Sequence, residues 1–167
     1  MTDDLVVTLA RLPFPAQVNL RVDPAQMEGI SFHLPQDPNS AWTQGDRAAL
    51  WLGPDEWLLL GPEGDGGRIV EEVTAELGGT RHSAVDVSAN RVALELRGPG
   101  VRELLSKGCS IDLHPRVWTP GSCAQTMLAK APVILHEGDG ATRLLVRTSF
   151  TDYLLDWFRA SDVKPSR

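Results

Sequence analysis

The sequence predicts an α+β fold, with a mixed, mostly antiparallel sheet and helices gathered on one face. Two observations predict this class. Short apolar runs typical of strands come in adjacent pairs, and single segments with a helical spacing of apolar residues separate these pairs. A strict alternation of strand and helix would instead predict a parallel α/β sheet.

The size and composition of the chain fit one domain. With 167 residues and 42% hydrophobic side chains, it can build a sizeable core, and we expect a single domain over residues 1–167. Residues 1–43 are expected to be peripheral, because proline cannot donate to a strand ladder and restricts strands there to short or edge positions. The prolines are Pro13, Pro15, Pro24, Pro35 and Pro38.

Two buried strands and a helix are predicted in the middle of the chain. The apolar runs Ala48–Leu52 and Trp57–Leu60 are separated by a turn that contains Gly53 and Pro54. Further on, apolar residues recur at helical spacing between Ile69 and Leu77, and the glycine pair at 78–79 offers the positive φ that ends a helix.

A half-buried strand and a short helix are predicted next. Apolar and charged residues alternate over Arg91–Arg97, as a strand with one buried face requires. Pro99 suits the first position of a helix, and Gly108 suits the residue that follows its last turn. Between them Val101, Leu104 and Leu105 form an apolar stripe.

The last part of the sequence predicts strands and a terminal helix. We expect strands over Cys123–Ala129, Pro132–His136 and Arg143–Arg147, the last two joined as a hairpin. Ser149 is the predicted N-cap of the final helix, with Asp152 three residues later. An apolar stripe is expected to dock this helix on the sheet; it comprises Phe150, Tyr153, Leu154, Trp157 and Phe158.

The charge balance excludes some classes of partner. The 16 basic and 22 acidic side chains give a net charge of −6, which opposes the backbone of a nucleic acid. No apolar stretch has the length needed to span a bilayer. The first residues lack the basic and apolar regions of a secretory signal, so we expect a cytoplasmic protein with Cys109 and Cys123 as reduced thiols.

The search for catalytic motifs predicts no catalytic, cofactor-binding or metal-binding residue on this chain. Its histidines and cysteines form no pair with zinc-ligand spacing, and no serine stands in a Gly-x-Ser-x-Gly turn. The turn before the predicted helix resembles a phosphate loop, but Pro99 lacks an N–H donor and Glu103 stands where a dinucleotide site needs a small residue. Cys109 lies near the cation of Lys107, yet a structural role is favoured.

Tryptophan provides the interface candidates. Three tryptophans belong to apolar patterns that predict positions in the core: Trp51, Trp57 and Trp157. Trp42 and Trp118 lie in proline-rich or loop contexts, and tryptophan is the residue type that most often anchors protein interfaces. We therefore predict Trp42 and Trp118 as interface residues.

Six segments of the sequence form an ordered series: Trp51–Leu59, Asp86–Ser88, Arg91–Leu105, Ile111–Pro115, Ala124–Leu128 and Arg147–Trp157. In content and order this series resembles a known family, the gamma subunit of heterotetrameric sarcosine oxidase. That family is similar to the folate-binding aminomethyltransferase domains of the glycine-cleavage T-protein group.

The resemblance implies a fold like that of the T-protein group and a subunit of an oxidoreductase acting on CH–NH donors. That enzyme demethylates sarcosine oxidatively to glycine and yields hydrogen peroxide, with formaldehyde or 5,10-methylenetetrahydrofolate as the second product. The resemblance further implies alpha, beta and delta subunits as partners. FAD, FMN, NAD, tetrahydrofolate and zinc are expected on those partners and none of them on this chain.

Two functions from different classes stay open at this point. The first is a non-catalytic subunit that supports assembly of the flavoenzyme complex. The second is an independent domain that binds tetrahydrofolate or transfers one-carbon groups, which the wider likeness to the T-protein group suggests. A free-standing regulatory domain with an unrelated partner is a third and weaker alternative.

Overall fold

The computed structural model describes residues 6–161 and 163–165. The sequence predicts one domain over residues 1–167. The contacts between residues divide the chain into two compact units, each with its own sheet. Unit 1 consists of Met1–Leu12 and Asn90–Arg167, and unit 2 consists of Pro13–Ala89.

The elements follow in chain order. The strands are β1 (Thr8–Arg11), β2 (Ala16–Val22), β3 (Ala41–Gln44), β4 (Arg47–Gly53), β5 (Glu56–Gly61), β6 (His82–Asp86), β7 (Arg91–Arg97), β8 (Cys123–Leu128), β9 (Ala131–Glu137), β10 (Thr142–Arg147) and β11 (Lys164–Pro165). The helices are α1 (Gly66–Leu77), α2 (Val101–Ser106) and α3 (Thr151–Ala160).

Unit 2 contains a five-stranded sheet in the order β3-β4-β5-β2-β6, with antiparallel pairs throughout. Alternate residues of β2 and β5 point to one face, where Val18, Leu20 and Leu59 belong to a buried cluster. Ile69 and Val73 of α1 belong to the same cluster and are fully buried. Helix α1 therefore covers this face of the sheet through its apolar stripe.

Unit 1 contains a six-stranded sheet in the order β11-β1-β7-β10-β9-β8. Its pairs are antiparallel except for the parallel pair of β1 with β11. Leu94, Leu144 and Leu135 stand opposite one another on three neighbouring strands and are fully buried. This row is the centre of one apolar face of the sheet.

Most predicted elements are confirmed. The strands β4, β5, β7, β8, β9 and β10 lie where the apolar runs predicted them, and β9 and β10 form the expected hairpin. Helix α1 ends where predicted, because Gly78 has φ 54° and its N–H donates to the Thr74 carbonyl. The mixed, mostly antiparallel sheet architecture with few helices is likewise confirmed.

The expectation that residues 1–43 hold only short or peripheral strands is wrong for β2. This strand has seven residues and pairs with β5 on one side and β6 on the other. Its sequence from Ala16 to Val22 contains no proline, so the flanking Pro15 and Pro24 bound the strand and leave its ladder intact.

The predicted ends of α2 need correction. The helix begins at Val101 with Gly100 as its N-cap, so Pro99 lies in the preceding turn. Gly108 has no positive φ; instead, a Cβ there would lie 2.9 Å from Trp157 Cζ2 and 3.0 Å from the Ala129 N. Glycine is therefore required at position 108 by close packing and not by a left-handed backbone conformation at the end of the helix.

The predicted N-cap of the last helix is wrong as well. Ser149 lies inside a 3-10 turn over Thr148–Phe150, and α3 starts only at Thr151 with no side-chain cap. The apolar stripe is confirmed for Leu154 and Phe158, which are fully buried, whereas Tyr153 is exposed.

Candidate interaction surfaces

Trp42 lies on β3, the edge strand of unit 2, and is half-buried. Its ring meets Phe32 edge-on at 6.1 Å between centroids, and the His33 ring lies 6.4 Å away. Phe32 is 1% exposed and belongs to the core cluster of unit 2. The indole is therefore held by the core on one side and keeps a second side at the surface.

An ion pair lies against the face of the Phe32 ring. The Arg47 guanidinium lies 4.9 Å from the Phe32 ring centroid and donates two hydrogen bonds of 2.8 Å to Glu72 on α1. The hydrogen bonds from Arg47 lower the pKa of Glu72 to about 2, although partial burial opposes this. The pair links β4 to α1 and fixes Phe32, the ring against which Trp42 packs.

A surface cleft of about 1000 Å³ opens beside this indole, and we call it the Trp42 cleft. Its floor is aromatic and aliphatic, with Phe32, Ile30 and Met27 beside Trp42. Its lining residues are Pro24, Ala25, Met27, Glu28, Gly29, Ile30, Ser31, Phe32, His33, Leu34, Gln36, Asp37, Trp42 and Gln44. This set contains two carboxylates and neither lysine nor arginine, so the cleft is acidic.

The open edge of β3 runs along the same region. Among the strands that the structure describes, β3 pairs with β4 alone. The Trp51 N–H donates to the Ser40 carbonyl at 3.0 Å. In an antiparallel ladder the backbone groups of every second residue face the partner strand, so those of Trp42 point toward β4, as those of Ser40 do. The backbone groups of Ala41 and Thr43 therefore point away from β4, toward the open edge.

The structure places Trp118 differently from the surface position that its loop context suggested. Only 5% of the residue is exposed, and its indole N–H donates to Glu137 Oε2 at 2.9 Å. Thr142 donates to the same oxygen at 2.6 Å, and Arg102 pairs with the other oxygen at 3.3 Å. Trp118 thus belongs to a buried polar network and offers a partner little surface, whereas Trp42 stays an interface candidate.

A polar row crosses the sheet of unit 1. Cys123, His136, Arg143 and Glu95 stand opposite one another on four neighbouring strands. Burial raises the pKa of Glu95, but hydrogen bonds from Arg143 at 3.0 Å and Arg97 at 2.8 Å outweigh it and hold that pKa below its usual range. The carboxylate is engaged in ion pairs, as expected of a structural group.

His136 is the unusual member of this row. It is 3% exposed, and its Nδ1 has no hydrogen-bond partner among the described residues. Burial, and secondarily the nearby charge of Arg143, lower the pKa of His136 to about 4. The ring is therefore neutral near pH 7.

The Asp-x-Ser motif of the sequence has a structural role in unit 2. Asp86 Oδ1 accepts hydrogen bonds from the Ser88 N–H at 2.9 Å and the Ser88 hydroxyl at 2.5 Å. The hydroxyl oxygen in turn accepts the Gln17 N–H at 2.9 Å. The carboxylate also packs against Gly66, the first residue of α1, where a Cβ would overlap it. The motif joins β2, β6 and α1.

The described residues contain no group of three or more histidine, cysteine or acidic side chains that could hold a metal ion. Both cysteines are free and buried, and Cys109 Sγ lies 3.7 Å from the Thr126 hydroxyl. Within the described ranges, no helix combines the length and the apolar character that a membrane span requires.

Sequence reasoning missed the Trp42 cleft because it treated residues 1–43 as peripheral. The segment that builds its floor holds Met27, Ile30 and Phe32 within six positions, with Glu28 and His33 between and beside them. The signal available in the sequence was a mixture of apolar and charged residues without a regular period, followed by Trp42 about ten residues later.

Comparison with known proteins gives a consistent result. Residues 24–164 match the model of the sarcosine oxidase, gamma subunit family. The sarcosine oxidase subunit gamma of Arthrobacter sp. is 38% identical over 159 residues, covering 90% of this chain and 77% of that protein. The corresponding subunit of Corynebacterium sp. strain P-1 is also 38% identical, with the same coverage. The resemblance found in the sequence segments is confirmed.

Two solved structures share the fold. Heterotetrameric sarcosine oxidase from Corynebacterium sp. U-96, in complex with pyrrole 2-carboxylate, matches with a TM-score of 0.86 and 32% identity, covering 100% of this chain and 90% of the matched chain. The glycine cleavage system aminomethyltransferase T from Bartonella henselae matches with a TM-score of 0.73 and 12% identity, covering 96% of this chain and 47% of that one. The second match concerns the fold alone and agrees with the predicted T-protein-like architecture.

Proposed function

This chain belongs to the sarcosine oxidase, gamma subunit family, and we propose that it is the non-catalytic gamma subunit of a heterotetrameric sarcosine oxidase. The observation that carries the proposal is the similarity to a chain of a heterotetrameric sarcosine oxidase, which extends over the whole of this chain at 32% identity. Its role in the complex is to provide binding surface for the larger subunits.

The proposed complex demethylates sarcosine oxidatively. Sarcosine, oxygen and water give glycine, formaldehyde and hydrogen peroxide, and with tetrahydrofolate the methyl carbon leaves as 5,10-methylenetetrahydrofolate. In this proposal the partners are alpha, beta and delta subunits in the cytoplasm, and they carry FAD, FMN, NAD, tetrahydrofolate and zinc.

The hydrogen-bond partners of three carboxylates support a role without catalysis. Glu95 is paired with two arginines, Glu137 accepts hydrogen bonds from Trp118 and Thr142, and Asp86 is bound by Ser88. A general base must be free to take a proton, and each of these carboxylates is occupied in holding strands or turns together. Their arrangement suits a stable scaffold.

Co-expression tests this proposal. The full chain, carrying an affinity tag, is produced together with the other sarcosine oxidase subunits of the same organism and passed over a size-exclusion column at micromolar concentration. We expect this chain to elute with the larger subunits in one peak that oxidises sarcosine and releases hydrogen peroxide. Separate elution of the chain would contradict the proposal. A tagged unrelated α+β protein of equal size is the control.

A further inference from the structure

The Trp42 cleft has the features of a site for a positively charged side chain. The face of an indole attracts a cation through its quadrupole, and the effect is strongest for tryptophan among the aromatic residues. Glu28 and Asp37 line the same cleft, both are exposed, and neither has a side-chain ion pair in the described part of the chain. The Phe32 ring packs edge-on against the indole with 6.1 Å between centroids, so the aromatic surface is already in place.

The shape of the cleft favours a segment of chain over a small molecule. Small-molecule sites enclose most of their ligand, whereas Glu28, His33 and Asp37 of this cleft are all exposed to solvent. The adjoining edge of β3 offers backbone groups at Ala41 and Thr43 that point away from the sheet. An extended peptide can pair with such an edge and place alternate side chains into a neighbouring groove.

We propose that the Trp42 cleft binds an extended segment of a partner subunit that carries an arginine or lysine, with the cation between the Trp42 indole and the carboxylates of Glu28 and Asp37. The inference rests on the proposed function, since it names the surface by which this subunit is held. A nucleic acid has the wrong charge for the two carboxylates. A second copy of this chain, with its net charge of −6, is a poorer electrostatic match than a basic segment.

The test uses the full chain in the co-expressed complex. The double variant Glu28→Gln with Asp37→Asn removes both charges from the cleft without changing side-chain size. The control Glu63→Gln with Glu71→Gln removes two charges from exposed positions outside the cleft. The complexes are diluted in steps before size exclusion, which gives an apparent Kd for this chain.

We expect the cleft double variant and Trp42→Ala each to raise the apparent Kd about tenfold or more, because interface anchors of this kind carry a large share of the binding energy. The control double variant should bind like the wild type. Thr43→Pro, which blocks the strand edge without removing a ladder donor, should also weaken binding.

The outcomes separate this inference from the proposed function. If the wild-type chain fails to elute with the larger subunits, the proposed function is wrong. If the wild type elutes with them and the cleft double variant binds equally well, the inference alone is wrong. Weakening by Trp42→Ala with no effect of the two carboxamide substitutions also overturns it, because the bound group is then not a cation. Both carboxylates are exposed, so that variant tests the inference even if Trp42→Ala fails to fold.

Discussion

Two adjacent glycines, Gly66 and Gly67, show how much a single hydrogen atom in place of a side chain can matter. Both lie in the first turn of α1. A Cβ on Gly66 would overlap the Asp86 carboxylate, with 2.6 Å to its Oδ1, whereas a Cβ on Gly67 would meet no atom within 4 Å. The difference arises because Asp86, at the end of β6, packs against Gly66 and does not reach Gly67.

The two alanine variants should therefore have opposite effects. Gly66→Ala should lower the free energy of unfolding by about 1–3 kcal/mol, because a Cβ at this buried position overlaps the Asp86 carboxylate and forces it to shift. Gly67→Ala should leave stability unchanged or raise it by up to about 1 kcal/mol, since alanine is the better helix former. Urea denaturation of both variants and the wild type measures the difference. Equal effects would contradict the contact with Asp86.

His136 should make the stability of the protein depend on pH in a defined window. Its pKa is lowered to about 4 in the folded chain, while an unfolded chain has the ordinary histidine pKa of about 6.5. Below pH 6.5 the unfolded chain binds a proton that the folded chain does not, so stability is complete above this pH and falls as the pH drops toward 4. The loss attributable to this residue is roughly 3 kcal/mol.

The slope of stability against pH isolates the histidine. His136→Gln should flatten this slope between pH 6.5 and 4, whatever its effect on absolute stability, because glutamine does not titrate. His114→Gln is the matched control, because it makes the same exchange at an exposed position. The free energy of unfolding from urea titrations at several pH values measures both. An unchanged slope in His136→Gln would show that the buried ring does not cause the effect.

At the level of elements, α2 tests the assignment of a buried face. Leu104 is 4% exposed and Glu103, beside it, is exposed. Leu104→Ala should lower the free energy of unfolding by about 2–5 kcal/mol, because it removes buried methyl groups and leaves a cavity. Glu103→Ala should change it by less than about 0.5 kcal/mol. Thermal unfolding followed by circular dichroism compares the two variants. Equal melting temperatures would show that the buried face assigned to α2 is wrong.

Elements with a regular period could be predicted from the sequence, and those held by distant contacts could not. The spacing between Ile69 and Leu77 predicts α1, and the alternation over Arg91–Arg97 predicts β7. In contrast, β6 (His82–Asp86) is mostly exposed and shows no apolar alternation; it exists because β2 pairs with it. No local pattern records such a pairing, since its stabilisation comes from residues 60 or more positions away.

The same distinction applies to helix ends and to the candidate site. Ser149 has the residue type of an N-cap, but the chain forms a 3-10 turn there and the helix begins two residues later. Glycine at position 108 is typical of a helix end, but it is required there because the Trp157 ring leaves no room for a Cβ. For the interface candidates, residue type alone could not separate Trp42 from Trp118, because Glu137, the carboxylate that accepts the Trp118 indole N–H, is 19 positions away.

At the scale of the whole molecule, assembly with the larger subunits should raise the melting temperature of this chain. A partner that binds only the folded chain stabilises it by about 2.7 kcal/mol when present at 100 times Kd. For a chain of 167 residues, this corresponds to a rise of about 5–10 °C in the melting temperature. Pulse proteolysis at increasing temperature, with this chain detected by mass, measures its unfolding inside the complex. The variant Glu28→Gln with Asp37→Asn should show a smaller rise than the wild type at the same subunit concentration. A melting temperature that is the same with and without the larger subunits would mean that they do not bind the folded form of this chain, and the proposed role in assembly would then be wrong.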